Sequence, residues 1–311
     1  MNPKVHVAVG VVKNNNGEYL ISKRHEHLHQ GNLWEFPGGK VEKNETSYAA
    51  LCRELYEELK ISVLQAEPLV KISHQYSDKH VLLDVWLVDS YEGIPVSQQQ
   101  QPVQWVQQNK FDSYSFPQAN KLIISCLQLS PYYAITGSYN NLQDFSSRFE
   151  HSLKSGAKLI QLRSKNATGN ELSELLSISK SLCDIYNTKL LVNSSSTIVN
   201  EVDGIHLDSK KLMSLSERPI SYNKLLAASV HNKVELTKAM EIEVDFIVVS
   251  PVLETTSHPG ARILNWAGLK QLVELSTIPV YALGGMQKSM IPQIKETGAF
   301  GLAAISEFWS L

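Results

Sequence analysis

Arg53, Glu54, Glu57 and Glu58 fall at i, i+1, i+4 and i+5 in the run Arg53-Glu54-Leu55-Tyr56-Glu57-Glu58-Leu59. Leu51, Leu55 and Leu59 recur at the spacing of one buried stripe, which predicts a helix over 48–59. On that helix the three glutamates share a flank beside the stripe. Clustered carboxylates repel one another, and a hard divalent cation relieves the repulsion. Mg²⁺, which takes oxygen ligands and keeps waters for a phosphate substrate, is the natural ion, with Mn²⁺ as a substitute. Arg53 is suited to hold one glutamate through a bidentate pair. A bare E-x-x-E-E also describes a solvated acidic face. The histidines of His25-Glu26-His27-Leu28-His29 have a spacing that suits no zinc motif.

The elements that must position these residues follow from periodicity and turn chemistry. Residues 5–12 and 19–23 read as a hairpin around the turn at 14–17, and 68–76 and 80–88 as a second strand pair. Trp105-Val106 and a helix at 119–128 complete a mixed sheet flanked by helices. After Ser130-Pro131 short apolar runs alternate with helical patterns: 132–135, 159–162, 190–193, 204–207, 226–229, 246–250, 280–283 and 301–305. Eight such runs are the number that closes a (β/α)₈ barrel, compressed here into 181 residues. The expected organisation is therefore α/β throughout, with one domain over 1–130 and a TIM barrel over 131–311.

The 311 residues carry 29 Lys and Arg against 31 Asp and Glu, so no basic field argues for a nucleic-acid polymer as partner. No run of 18 apolar residues occurs and the start has no cleavable small-residue site, so the expectation is a cytoplasmic protein with no membrane partner. Cys52, Cys126 and Cys183 are odd in number and far apart, which speaks against a disulfide framework.

Gly39, Glu45 and the run Arg53 to Ile61 resemble the box of the Nudix hydrolases, G-x5-E-x7-R-E-U-x-E-E-x-G-U with U aliphatic. Every fixed position matches except the late glycine, where Lys60 stands. That glycine supplies a left-handed helix cap, so the departure bears on helix-end geometry. The resemblance implies an α/β/α sandwich that hydrolyses a nucleoside diphosphate linked to another group. It implies Glu54, Glu57, Glu58 and the Gly38 carbonyl as metal ligands or base, and Arg53 as orienter. Beyond the box, VAVGVVKNNNGEYLISKR, NLWEFPGGKVEKNET and FPQANKLI are similar to the MutT-type 8-oxo-dGTP diphosphatases. The likeness implies that Arg24, His29, Glu35, Phe36, Pro37 and Gly38 line the nucleotide and that Asn120 reads the base. An amide accepts from the N7–H of 8-oxoguanine, and guanine has no proton there. Relatives carry a further acid in the loop before Pro102–Trp105, where this chain has Gln99 or a neighbouring glutamine.

In the second half, Gln161-Leu162-Arg163-Ser164-Lys165 resembles the Q-x-R-x-K with which thiamine phosphate synthases bind a pyrimidine diphosphate, and two cations at a strand end suit that ligand. Further matches are Val192-Asn193, Asp203 to Leu207, Ser229-Val230-His231, Ser250-Pro251, Gly284-Gly285 and Gly301 to Ser306. The implied phosphate and pyrimidine site comprises Gln161, Arg163, Lys165, Asn193, His206, Ser229, Thr255, Gly285 and Ser306. Where the synthases place two Mg²⁺-binding aspartates, this chain has Ser194 and Lys211, with Asp208 nearby but out of step. The lysine after the Thr-x-Thr segment is replaced by His258. The TenI-type thiazole tautomerases also lack the two acids, but their catalytic histidine falls at Pro251.

These readings together imply Mg²⁺-dependent conversion of 8-oxo-dGTP to 8-oxo-dGMP and pyrophosphate, sanitising the nucleotide pool. The fused barrel would bind a thiamine-related phosphate without efficient synthase turnover. Two alternatives stay open: a thiamine-pathway enzyme that makes thiamine phosphate or clears damaged thiamine or pyrimidine diphosphates, and a non-catalytic ligand sensor.

Overall fold

The computed structural model describes residues 4–26, 30–75, 80–98, 101–164, 167, 169–193, 200–255, 260 and 262–311. Of the positions singled out above, His27, His29, Gln99, Lys165, Ser194 and His258 lie outside the described residues. The chain divides into two compact units, Met1–Gln128 and Leu129–Leu311.

The first unit runs β1 (Lys4–Val12), β2 (Glu18–Lys23), β3 (Trp34–Glu35), β4 (Gly38–Lys40), α1 (Ser47–Leu59), β5 (Ser62–Gln75), β6 (His80–Glu92), β7 (Val103–Gln107) and α2 (Gln118–Leu127). One sheet has the order β4-β1-β6-β5 and the other β3-β2-β7. The first is mixed, because β1 runs parallel to β6 and antiparallel to β4.

The hairpin expected of β1 and β2 is corrected by this topology. The turn forms, with Asn14 Oδ1 accepting the backbone N–H groups of Asn16 and Glu18 and Asn14 N–H donating to Glu18 O, but pairing stops at the bridge Lys13↔Tyr19 and the two strands lie in different sheets. Both edges of β1 are taken by β4 and β6, while β2 pairs with β3 and β7.

Helix α1 starts at Thr46, whose hydroxyl accepts the Ala49 N–H at 3.2 Å. Its stripe of Leu51, Leu55 and Leu59 is fully buried against Ala8 and Val12 of β1, Leu20 of β2 and Val88 of β6. Each such leucine contributes roughly 2 kcal/mol of apolar burial. That burial fixes which flank of α1 carries the glutamates. The helix ends at Lys60, which lies in the left-handed region (φ 58°, ψ 33°) and donates its N–H to Tyr56 O.

The second unit is a closed barrel of eight parallel strands: β8 (Tyr132–Ile135), β9 (Leu159–Leu162), β10 (Lys189–Asn193), β11 (Gly204–Leu207), β12 (Leu225–Val230), β13 (Phe246–Val249), β14 (Val280–Ala282) and β15 (Gly301–Ala304). The helices are α3 (Leu142–Lys154), α4 (Gly169–Tyr186), α5 (Ser209–Ser214), α6 (Lys233–Glu241), α7 (Asn265–Leu275), α8 (Ile291–Glu296) and α9 (Ser306–Trp309). Economy of length comes from α5 and α8, of 6 residues each, and α9, of 4. Inside the barrel, Tyr133, Phe246 and Tyr281 pack ring against ring at 5.1–5.8 Å between centroids. The outward strand residues Ala134, Ile160 and Val192 join the helices in one apolar layer with Phe145 and Phe149. All three cysteines are free, and among the described residues no helix is long and apolar enough to cross a membrane.

A left-handed lysine costs about 1 kcal/mol that a glycine avoids. Lys60→Gly is therefore expected to raise the stability of the first unit by about 1 kcal/mol in urea titration, and Lys60→Ala to give no gain. A lowered midpoint for Lys60→Gly would instead mean that the lysine stem over the Tyr56 ring, 4.5 Å from Nζ to centroid, outweighs the backbone strain.

Candidate functional site

Strand β4 lies alongside α1, and their contact organises the acidic cluster. A Cβ on Gly39 would come within 2.1–2.3 Å of the Glu54 carboxyl group, so this carboxylate sits where only a glycine leaves room. Arg53 grips Glu45 through two bonds, Nε to Oε1 at 3.0 Å and Nη2 to Oε2 at 2.9 Å. It also reaches Glu54 Oε1 at 2.8 Å, the Lys40 carbonyl at 3.0 Å and Glu57 Oε2 at 3.7 Å. The bidentate pair thus goes to Glu45, a box residue given no role in the sequence reading, and not to one of the helix glutamates. Hydrogen bonds from Arg53 hold Glu45 below the usual carboxylate range, and Glu45 in turn, then Glu54, raises Arg53.

Glu58 points back towards β4. Its Oε2 accepts the Gly38 N–H at 3.2 Å, yet burial pushes its pKa up to about 7, helped by the charges of Glu54 and Glu35. Glu35 is itself raised by burial and paired with Arg24. Glu57 is the outermost of the three, its side chain 56% exposed. As placed, no three His, Cys, Asp or Glu side chains among the described residues surround a common point. The donor chemistry nevertheless fits a hard divalent cation: every candidate is an oxygen, and Glu58, raised first by burial, is raised further by the neighbouring Glu54 and Glu35 charges, a repulsion such an ion relieves.

Asn120, in the first turn of α2 and only 8% exposed, accepts the Phe36 N–H on Oδ1 at 3.3 Å. This bond aims the amide and leaves its NH₂ to donate and one oxygen lone pair to accept. Phe36 is 3% exposed, stacked on Phe116 at 6.0 Å and edge-on to Phe111 at 5.9 Å, so it anchors the segment from within the core. Pro37 is buried as well, its carbonyl accepting Gly10 N at 2.8 Å.

The second unit opens a cavity of about 1410 Å³ at the carboxyl ends of the barrel strands. Gln161, Arg163, Asn193, His206, Ser229, Thr255, Gly285 and Ser306 all line it. Gln161 Nε2 donates to Asn193 Oδ1 at 3.2 Å. The buried Thr136 hydroxyl accepts the Arg163 N–H at 2.8 Å and donates to its carbonyl at 3.2 Å, which pins the arginine's backbone. Gly285 adopts φ +67°, and a Cβ there would lie 2.7 Å from Glu254 O. The His206 ring nitrogens lie 3.0 Å from the Tyr133 hydroxyl and 2.8 Å from Ser229 Oγ. Burial, then the Arg163 charge, lowers its pKa to about 3, so the ring is neutral.

The cavity also takes in side chains to which the sequence reading gave no role: His231, whose Nδ1 is 2.5 Å from Ser250 O, and the cations Lys210, Lys233 and Arg262. Their position after strand ends was the available signal, but nothing local separates them from other loop cations.

A carboxylate-bearing helix set against a Gly-Gly strand of a mixed sheet defines a Nudix-type unit, and a closed parallel barrel with a cavity at its strand ends defines a TIM barrel with a candidate ligand site. The family model described as thiamine monophosphate synthase matches residues 132–308, and the NUDIX domain model matches residues 8–126. The chain is 37% identical over 125 residues to the 8-oxo-dGTP diphosphatase of Escherichia coli, covering 40% of this chain and 97% of that protein. It is 30% identical over 177 residues to a thiamine-phosphate synthase of Methanococcus maripaludis, covering 56% of this chain and 84% of that one. Among solved structures, a MutT from work on Aliivibrio salmonicida and Vibrio cholerae shares 32% identity, covering 40% of this chain and 99% of its own, with a TM-score of 0.36. The chain belongs to the thiamine monophosphate synthase family through its barrel, and its first unit is a Nudix hydrolase domain homologous to MutT.

His206 sets a pH dependence. Its folded value lies below the ordinary 6.5, so between these limits the unfolded ring binds a proton that the folded ring refuses. Stability is present above about pH 6.5 and is lost as pH falls towards about 3. From about pH 7 to about pH 5 the barrel is expected to lose roughly 2 kcal/mol relative to His206→Gln, read from urea midpoints. Equal pH slopes in the two proteins would mean that the ring is charged in the folded barrel.

Proposed function

We propose that the first unit hydrolyses oxidised guanine nucleoside triphosphates, converting 8-oxo-dGTP and water to 8-oxo-dGMP and pyrophosphate, and so cleanses the nucleotide pool. The observation that carries this reading is the convergence of the Arg53-held carboxylates with a buried, aimed Asn120 on the two sides of the 35–39 segment. Glu54, Glu57, Glu58 and the Gly38 carbonyl would hold Mg²⁺, or Mn²⁺ in its place. When bound, the ion neutralises phosphate charge and lowers the pKa of a bound water. The three carboxylates divide between them the work of ligation and of accepting the water proton, while Arg53 keeps Glu54 in place. Water adds to phosphorus, the bridging P–O bond breaks, and pyrophosphate leaves.

At the other end of the segment, the Asn120 amide donates to the base O6 and accepts from N7–H. Guanine offers a lone pair at N7 instead, so the same amide disfavours it. Arg24, paired with Glu35 of the same segment, would meet the phosphates. The barrel binds a thiamine-related phosphate, supported by the eight site residues that line its cavity.

The test is pyrophosphate release by the full-length protein with Mg²⁺ from 8-oxo-dGTP, dGTP and thiamine diphosphate at low concentration. The expected result is preference for 8-oxo-dGTP, with Asn120→Ala lowering its ratio over dGTP by about tenfold or more. Glu57→Gln should lower kcat by about a hundredfold. Preference for thiamine diphosphate would replace this reading with thiamine-pathway repair. Undiminished turnover in Glu57→Gln would remove the carboxylate cluster from the chemistry.

A further inference from the structure

Among the described residues, the charged lining of the barrel cavity is Arg163, Lys210, Lys233 and Arg262 against the single carboxylate of Asp208. That carboxylate caps α5, accepting the Lys211 N–H at 2.7 Å. The stretches 165–168, 194–199 and 256–261, which follow strand ends but are not fully described, contain no Asp or Glu in the sequence. A protein-held Mg²⁺ is bound through carboxylates together with substrate phosphates. The ion implied by the synthase resemblance therefore does not fit the donors present. Four cations around one carboxylate repel a divalent cation and attract an anion.

The arginines sharpen the picture. Arg148 pairs with Asp144 and Arg218 with Asp245, but Arg163 and Arg262 make no ion pair among the described residues. Arg163 is half-buried, its backbone pinned by Thr136, and burial lowers its pKa, the mark of a guanidinium short of a counter-charge. Guanidinium forks match phosphate oxygens two at a time, which a lysine does not.

We infer that the barrel holds a diphosphate-bearing ligand directly on its side-chain cations, with Arg163 and Arg262 as the main contacts and without a divalent metal. The inference rests on the phosphate-ligand reading of the barrel given above and adds how the charge is neutralised. Such a site retains its ligand in chelator, and it offers a leaving pyrophosphate no metal to depart with.

Calorimetric titration of the full-length Glu57→Gln protein with inorganic pyrophosphate, once in EDTA and once in Mg²⁺, tests this. Glu57→Gln disarms the metal site of the first unit. Binding in EDTA at least as tight as in Mg²⁺ is expected, because free pyrophosphate carries more charge than its magnesium complex. Arg262→Met, at an exposed position that leaves the core untouched, should weaken it about tenfold or more, as should Arg163→Met. Binding that requires Mg²⁺ would overturn the inference while leaving the barrel a phosphate site. Affinity unchanged in both arginine variants would overturn the assignment of contacts. Absence of binding in both media would overturn the phosphate reading itself.

Discussion

Arg53 is the charge on which the acidic face of the first unit depends. Its guanidinium holds Glu45, before the helix, and Glu54, on it, while reaching the Lys40 carbonyl of β4. One side chain thereby ties the loop, the helix and the glycine strand into a single geometry. The buried leucine stripe complements this by fixing the rotation of α1 about its axis, since turning the flank elsewhere would expose Leu51, Leu55 and Leu59.

The two units meet the same chemical task, handling phosphate oxygens, with opposite charge. In the first, acids are concentrated, and a cation offsets both the burial and the mutual repulsion that raise Glu58. In the second, cations ring the cavity and a deeply buried histidine is kept neutral beneath them. The neutral His206 has a structural logic: burial and the Arg163 charge both disfavour a charged ring, and the Asp208 carboxylate offsets them only in part. Tyr133 below and Ser229 beside it hold the ring by hydrogen bonds instead.

Lys60 shows how a fold tolerates a poor local choice. The left-handed conformation is imposed by the helix end and by the chain's return into β5, and the packing of Leu59 and Ile61 on either side leaves no alternative. The strain is small against the apolar burial it permits, which is why a departure from a glycine pattern alters stability before it alters chemistry.

Much was legible before any coordinates. Continuous apolar runs located all eight barrel strands to within a residue or so at each end, because each is buried on both faces and flanked by polar loops. The i, i+4 leucines fixed α1 and the flank its glutamates share. What the sequence left open were relations between distant segments. The hairpin expected of β1 and β2 failed because strand partners are chosen by β4, β6 and β7, and no local pattern names them. The bidentate partner of Arg53, the bond that aims Asn120 at Phe36 and the gathering of Arg262 with Arg163 around one cavity depend on how the chain closes on itself. The sequence by itself determined the element types and the inventory of acids and cations, since periodicity and side-chain chemistry are local. Tertiary structure decided which of those charges face each other, because electrostatic partnership depends on distance through space and on burial.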